Sequence, residues 1–314
     1  MYDITALGEL LIDFTSCGVS EAGMKTFEQN PGGAPANVLA AAQNFGMKTA
    51  FIGKIGADIH GDFLRKVLEN KGIETKGLIS DSKFFTTLAF VSLENGERKF
   101  SFARKPGADT KLEISELNLE LIRNSRIFHF GSLSLIDEPV RSATISAVKE
   151  AKKAGAVISY DPNYRALLWE TKEEAMKEMR SVIKYVDIIK ISDEETYLLT
   201  DCCDPSEAAA HLINQGISCV VVTLGADGAL LKTKDFEVRE KGRFRQAVDT
   251  TGAGDSFWGG ILFKFIKCQK KIDDISKEEA RNFLKFANET AGMCVEKRGA
   301  IPAMPLLEEV LKNL

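Results

Sequence analysis

Apolar positions along this chain fall into short runs separated by glycine and proline breaks, and the character of the runs changes partway along. Residues 4–14 form an apolar stretch of strand type, interrupted by Gly8, Glu9 and Asp13. Residues 35–45 read as a small-residue helix stopped by Gly46, and 49–53 as the strand that follows. Residues 60–71 carry apolar positions at helical spacing up to Gly72. Residues 84–93 and 98–103 are strand-like runs on either side of Glu94-Asn95-Gly96-Glu97. Asn-Gly between alternating runs is the strongest short-range hairpin signal.

Beyond Arg126 the pattern becomes regular. Strand 127–130 precedes a helix over about 139–154, stopped by Gly155, and strand 156–160 ends at Asp161-Pro162-Asn163. A helix over 172–184 has Thr171 and Glu174 spaced as a capping box. Strand 186–191, helix 204–215 and strand 220–224 complete the alternation. Continuous β-branched runs alternating with helices predict an α/β fold, its mostly parallel sheet flanked by helices. Ligands of such sheets bind beyond the carboxyl ends of the strands. Asp161, Ser192, Thr223 and Gly225 fall at those ends, as does the loop leading into Gly252.

Composition narrows the class of function. The chain has 314 residues, 44% of them apolar and 27% charged, without repeats or an internal linker, so one large α/β domain can hold all of it. A net charge of −4 argues against a nucleic-acid or anionic-membrane partner. No apolar run approaches the roughly 18 residues that span a bilayer, and a signal-peptide pattern is absent at Met1. The six cysteines lack metal-ligand spacing and read as reduced thiols, so a cytoplasmic setting is expected. The three histidines show no zinc-binding pattern. No Walker-A motif occurs, which excludes a Walker-A phosphotransferase, and no Gly-x-Gly-x-x-Gly follows the first strand, which weighs against a dinucleotide oxidoreductase.

The stretch richest in chemistry is Asp249-Thr250-Thr251-Gly252-Ala253-Gly254-Asp255, which runs into an apolar helix over 257–266. Gly252 and Gly254 allow backbone angles that point successive N–H groups into one concavity. At a helix start such a concavity attracts phosphate. Two readings of Asp255 stand side by side. It caps the helix, as Asp commonly does, or it is a base beside a phosphoryl group.

This heptapeptide resembles the C-terminal signature of the ribokinase-like, or PfkB, sugar kinases, and motifs in that family's order extend from Gly8 to Gly299. The resemblance implies a three-layer ribokinase-like fold in a single kinase domain over 1–314. A small β-sheet lid is implied over about 12–32 and 84–107, through which two copies would pair as a homodimer. It implies Asp255 as catalytic base and Gly252, Ala253 and Gly254 as an anion hole, with Arg165 beside the transferring phosphoryl. Asp13, Gly32, Gly33, Asn37 and Asn163 would hold the sugar, with Phe102 and Arg104 contacting it from the lid. Lys190, Thr223, Gly225, Gly228, Gly254 and Asn288 would receive the nucleotide.

Ser192-Asp193-Glu194-Glu195 reads as a capping box, while the family reading has Glu195 organising magnesium; the family usually shows Asn at the position of Ser192. Asp249 and Thr251 would contribute to a monovalent-cation site, with potassium as its ion. The cofactors expected are ATP and Mg2+. Asp161-Pro162-Asn163-Tyr164-Arg165 resembles the turn of fructokinases and ketodeoxygluconate kinases within the family. The expected activity is therefore ATP-dependent phosphorylation of fructose to fructose 6-phosphate. The alternatives are a ketodeoxygluconate kinase or ribokinase activity, and, outside catalysis, a sugar or nucleotide sensor on the same fold.

Overall fold

A computed structural model describes residues 1–94 and 97–314, excluding the side chains of 92–100. The chain opens with β1 (Tyr2–Leu7), β2 (Leu11–Val19), β3 (Lys25–Gly32), α1 (Ala34–Asn44), β4 (Thr49–Gly56), α2 (Ile59–Asn70) and β5 (Glu74–Asp81). It continues through β6 (Leu88–Glu94), β7 (Glu97–Ala103), α3 (Leu119–Arg123), β8 (Ser125–Gly131), α4 (Val140–Lys153), β9 (Val157–Asp161) and α5 (Lys172–Ser181). Next come β10 (Ile188–Ser192), α6 (Thr196–Thr200), α7 (Pro205–Asn214), β11 (Cys219–Thr223), β12 (Ala229–Lys232) and β13 (Glu237–Glu240). Helices α8 (Ala253–Cys268), α9 (Lys277–Cys294) and α10 (Leu307–Asn313) close the chain.

Among the described residues the strands form two sheets. The larger has the order β13-β12-β11-β10-β9-β8-β1-β4-β5. It is parallel except where β12 pairs antiparallel with β11 and β13. One face packs on α1, α2, α8 and α9 through residues such as Val38, Leu64, Trp258 and Phe286; the other packs on α4, α5 and α7 through Ala147, Met179 and Leu212. This is the three-layer α/β arrangement expected. Chain order reverses at β1, which pairs with β4 on one side and β8 on the other. Such a switch point leaves a crevice at the carboxyl ends of the strands, where ligands of open α/β sheets bind.

The smaller sheet has the order β3-β2-β6-β7, and Phe14 stacks on Phe90 within it, their rings 5.3 Å apart. The strand expected over 4–14 is in fact two, β1 and β2, in different sheets. Its break falls at Gly8, where a Cβ would meet Pro35 Cγ at 2.6 Å. The Asn95-Gly96 turn lies outside the described residues, although the strands flanking it pair antiparallel. The capping box predicted for α5 is half made. Thr171 Oγ1 accepts the Glu174 N–H at 3.0 Å, while the Glu174 carboxylate faces Arg141 at 3.7 Å. That helix also ends at Ser181, followed by a 3-10 turn, Ile183–Tyr185. Among the described residues no helix is long and apolar enough to cross a membrane.

Candidate active site

A cavity of about 490 Å³ opens at the switch point, within the size range of small-molecule sites. The start of α8 forms one wall. Gly252 precedes the helix in the left-handed region, φ 80°, with its missing Cβ 2.9 Å from Ala300 Cβ, so the turn into α8 requires glycine. Gly252 and Gly254 line the cavity and Ala253 does not. The Ala253 N–H donates to the Thr250 carbonyl at 3.3 Å.

Asp255 is not the helix cap. It lies inside the first turn, 8% exposed, and its Oδ2 accepts from Asn37 Nδ2 on α1 at 2.8 Å. Burial pushes its pKa from an ordinary 3.8 to about 6, and the negative charge of Asp161 adds to the rise. Lys190, Asn37 and Arg165 pull the other way. The acid therefore stays mainly ionised at neutral pH, but by a smaller margin than an exposed aspartate would.

Asp13 stands on β2, across the cavity. Burial pushes it to about 6 as well; Arg165 opposes that rise, and the charges of Asp249 and Asp255 add to it. Gly32 makes room for it, because a Cβ there would lie 2.2 Å from Asp13 Oδ2. Gly33 has φ 118°, and its absent Cβ would strike the Glu9 carbonyl at 2.3 Å. The Asp13 carboxylate thus explains Gly32, and close backbone approach at the start of α1 explains Gly33.

Three further predicted residues reach the cavity on the turn after β9 and on β10: Asn163, Arg165 and Lys190. Asn163 takes the left-handed conformation, φ 47°. The turn is pinned by Glu195, whose Oε1 accepts the Tyr164 N–H at 2.7 Å and whose Oε2 accepts the Ser192 N–H at 2.8 Å. The capping-box reading of Ser192 and Glu195 therefore describes the geometry. Lys190 Nζ donates to Asp161 Oδ2 at 2.8 Å.

Asp249 and Thr251 are hydrogen-bonded to each other. Asp249 Oδ1 accepts from Thr251 N and Oγ1 at 2.9 and 2.7 Å, and its Oδ2 accepts the Gly299 N–H at 3.1 Å. Among the described residues no group of three His, Cys, Asp or Glu side chains is placed to hold a metal ion. A magnesium ion here would therefore rely on nucleotide phosphate oxygens for much of its coordination, as Mg²⁺ commonly does.

Other predicted residues lie away from the cavity. Arg104 is buried behind its wall in an ion pair with Asp109 at 2.7 Å and donates to the Leu133 carbonyl at 2.9 Å. Asn288 ties α9 to the segment after β13, donating to the carbonyls of Glu240 and Lys241 at 3.1 and 3.2 Å. Thr223, Gly225 and Gly228 form the turn after β11, where a Cβ on Gly228 would meet the Glu240 carbonyl at 2.1 Å. Phe102 of the small sheet does line the cavity.

Wall residues that sequence reasoning missed include Glu9, Leu11, Leu133, Tyr164 and Leu167. Glu9 had a signal, its place in the Gly-Glu-x-x-x-Asp stretch. Its Oε1 accepts the Ala34 N–H at 2.8 Å, its Oε2 has no donor among the described residues, and burial pushes its pKa to about 7. Leu133 sits on a short 3-10 turn after β8 and matches no motif.

The model of the pfkB carbohydrate kinase family matches residues 1–307, so the chain belongs to that family and is an ATP-dependent sugar kinase. Among its relatives is a probable fructokinase-2 of Arabidopsis thaliana, 44% identical over 315 residues, covering 99% of this chain and 95% of that protein. A fructokinase of Xylella fastidiosa with bound ATP superposes with a TM-score of 0.90 at 31% identity, covering 99% and 97% of the two chains. A fructokinase double mutant of Vibrio cholerae O395, in a fructose-, ADP- and potassium-bound form, superposes with a TM-score of 0.89 at 30% identity over 99% and 98%.

Proposed function

We propose that this chain is a fructokinase, transferring the terminal phosphoryl of ATP to the 6-hydroxyl of fructose. The observation that carries the mechanism is Asp255, buried at the start of α8 and opening onto a cavity whose other wall bears Asp13. Asp13, Gly33 and Asn37 hold the sugar, their acceptors matched to hydroxyl donors. Asp255 takes the proton as the hydroxyl oxygen attacks phosphorus; the bond to the ADP oxygen breaks, and ADP leaves with that electron pair. The Gly254 N–H, Lys190 and Arg165 face the phosphoryl oxygens, where charge stabilisation matters most. Magnesium, when bound, neutralises phosphate charge.

The small sheet acts as a lid, since Phe102 contributes to the cavity wall; closing over sugar would exclude the water that competes for the phosphoryl group. Its outer aromatics, Phe27 and Phe90, are each 38% exposed and form the face through which two copies pair. The Asp249–Thr251 pair beside Gly299 is the candidate position for potassium.

A coupled ADP-release assay across fructose, ketodeoxygluconate, ribose and adenosine tests the reading. Fructose should give the highest kcat/KM. A clear preference for ketodeoxygluconate or ribose would reassign the substrate, and sugar binding without ADP formation would point to a sensor instead.

A further inference from the structure

One buried charge beside the site does not touch the cavity. Asp161, the last residue of β9, is 1% exposed and lies outside the cavity lining. Its Oδ2 holds Lys190 Nζ at 2.8 Å across the β9–β10 pair, and its Oδ1 has no donor among the described residues. Lys190 does reach the cavity, and its ammonium lies 3.2 Å from where a Cβ on Gly254 would stand. The lysine is thus pressed against the first turn of α8, where the phosphoryl group is to be received.

Three carboxylates surround that ammonium, and one of them, Glu195, is held by the Tyr164 and Ser192 N–H groups. Lys190 feels the charge of Asp161 first, then those of Glu195 and Asp255. A buried ammonium that loses its partner is strongly unfavourable, and Asp255, one residue beyond the Gly254 that Lys190 presses on, is the remaining carboxylate among those whose charge it feels. An aspartate closed into an ion pair with lysine is a poorer proton acceptor, because the opposite charge favours its ionised form.

Resting on the kinase reading above, we propose that Asp161 is a positioning residue for phosphoryl transfer. Its carboxylate keeps the Lys190 ammonium at the mouth of the α8 N-terminus and out of an ion pair with Asp255. The lysine then faces the phosphoryl oxygens while Asp255 remains available to accept the hydroxyl proton. Asp161 touches neither substrate; it acts through Lys190, and its own charge also adds to the rise of the Asp255 pKa.

The test is steady-state kinetics on the full chain with ATP, magnesium and fructose, or the sugar that the panel above selects. It compares wild type, Asp161→Asn, Lys190→Met and the double variant, with melting curves as a check on folding. Asp161→Asn should lower kcat by about 10²-fold, the scale of a misplaced catalytic group, while KM for the sugar stays unchanged. In the Lys190→Met background the same substitution should cost only the small change that the charge of Asp161 makes at Asp255. Asp161→Asn leaves a lysine buried without its partner; should that variant not fold, the comparison of Lys190→Met with the double variant still decides. A kcat in those two that agrees within a few-fold supports the role, and a further loss approaching about 10²-fold overturns it. A folded Asp161→Asn with unchanged kcat, or with only a raised sugar KM, also overturns it. An active Asp255→Asn chain would instead sink the assignment of the base, so the two failures are distinguishable.

Discussion

Replacing Asp255 with Asn separates the two roles that the sequence leaves open for this residue. A helix cap would barely notice the change, because Asn and Asp cap about equally well. A base would lose its function, and kcat should fall by roughly 10²–10⁴-fold. Stability should move in the opposite direction. Burial raises the Asp255 pKa from 3.8 to about 6, so the folded chain holds this proton over a pH range in which the unfolded chain has lost it. The ionisation penalty is therefore absent below the unfolded value, grows as pH rises, and is complete above the folded value. Two pH units correspond to about 3 kcal/mol at most. Asn retains an oxygen to accept the 2.8 Å bond from Asn37, so about 1–3 kcal/mol of stabilisation should survive at neutral pH, a few degrees in Tm. Paired melts at about pH 7.5 and about pH 4 should show that advantage shrinking with acid, alongside a coupled ADP-release assay. Full activity in Asp255→Asn, or an equal advantage at both pH values, would refute the reasoning.

Burial raises both Asp13 and Asp255 to about 6, and the charge of Asp255 adds to the rise at Asp13, so the two ionisations are coupled. Log kcat/KM should fall below about pH 6 more steeply than a single ionisation allows, and a fall of unit slope would count against two working carboxylates. Gly254→Ala would set its methyl 3.2 Å from Lys190 Nζ; kcat should drop about 10-fold or more with a Tm shift under a few degrees, and an unchanged rate argues against the cradle. Arg104→Ala breaks a buried ion pair of 2.7 Å and should cost about 3–5 kcal/mol in denaturant unfolding; a folded variant with only a raised sugar KM would restore the substrate-contact role. If two copies pair through the small sheet, Phe90→Glu should yield monomers in sedimentation velocity, and an unchanged mass would refute that interface.

What was legible in the sequence followed from strict local rules. The parallel half of the sheet announced itself because strands such as Val220-Val221-Val222 are buried on both faces and read as unbroken apolar runs. The strands not anticipated are the two edges, β5, whose Glu74 and Lys76 face partly outward, and β13, together with β12, a largely buried run of only four residues inside that edge. Edge strands need only one apolar face and carry a weak period. The motif around Gly252 was readable because a positive φ against Ala300 admits only glycine. Sequence distance hid the rest. Asn37 and Asp255 are 218 positions apart, and Asp161 meets Lys190 across 29, through a strand register that periodicity cannot supply. Arg104 shows the limit from the other side. The resemblance placed Arg104 on the lid against the sugar, yet only the position of Asp109 decides whether its charge is spent inside the wall or offered to the cavity. The residues that set the chemistry of Asp255 sit on α1, β9, β10 and the turn after β9, so that chemistry becomes readable only where the topology reverses and gathers those strand ends into one crevice.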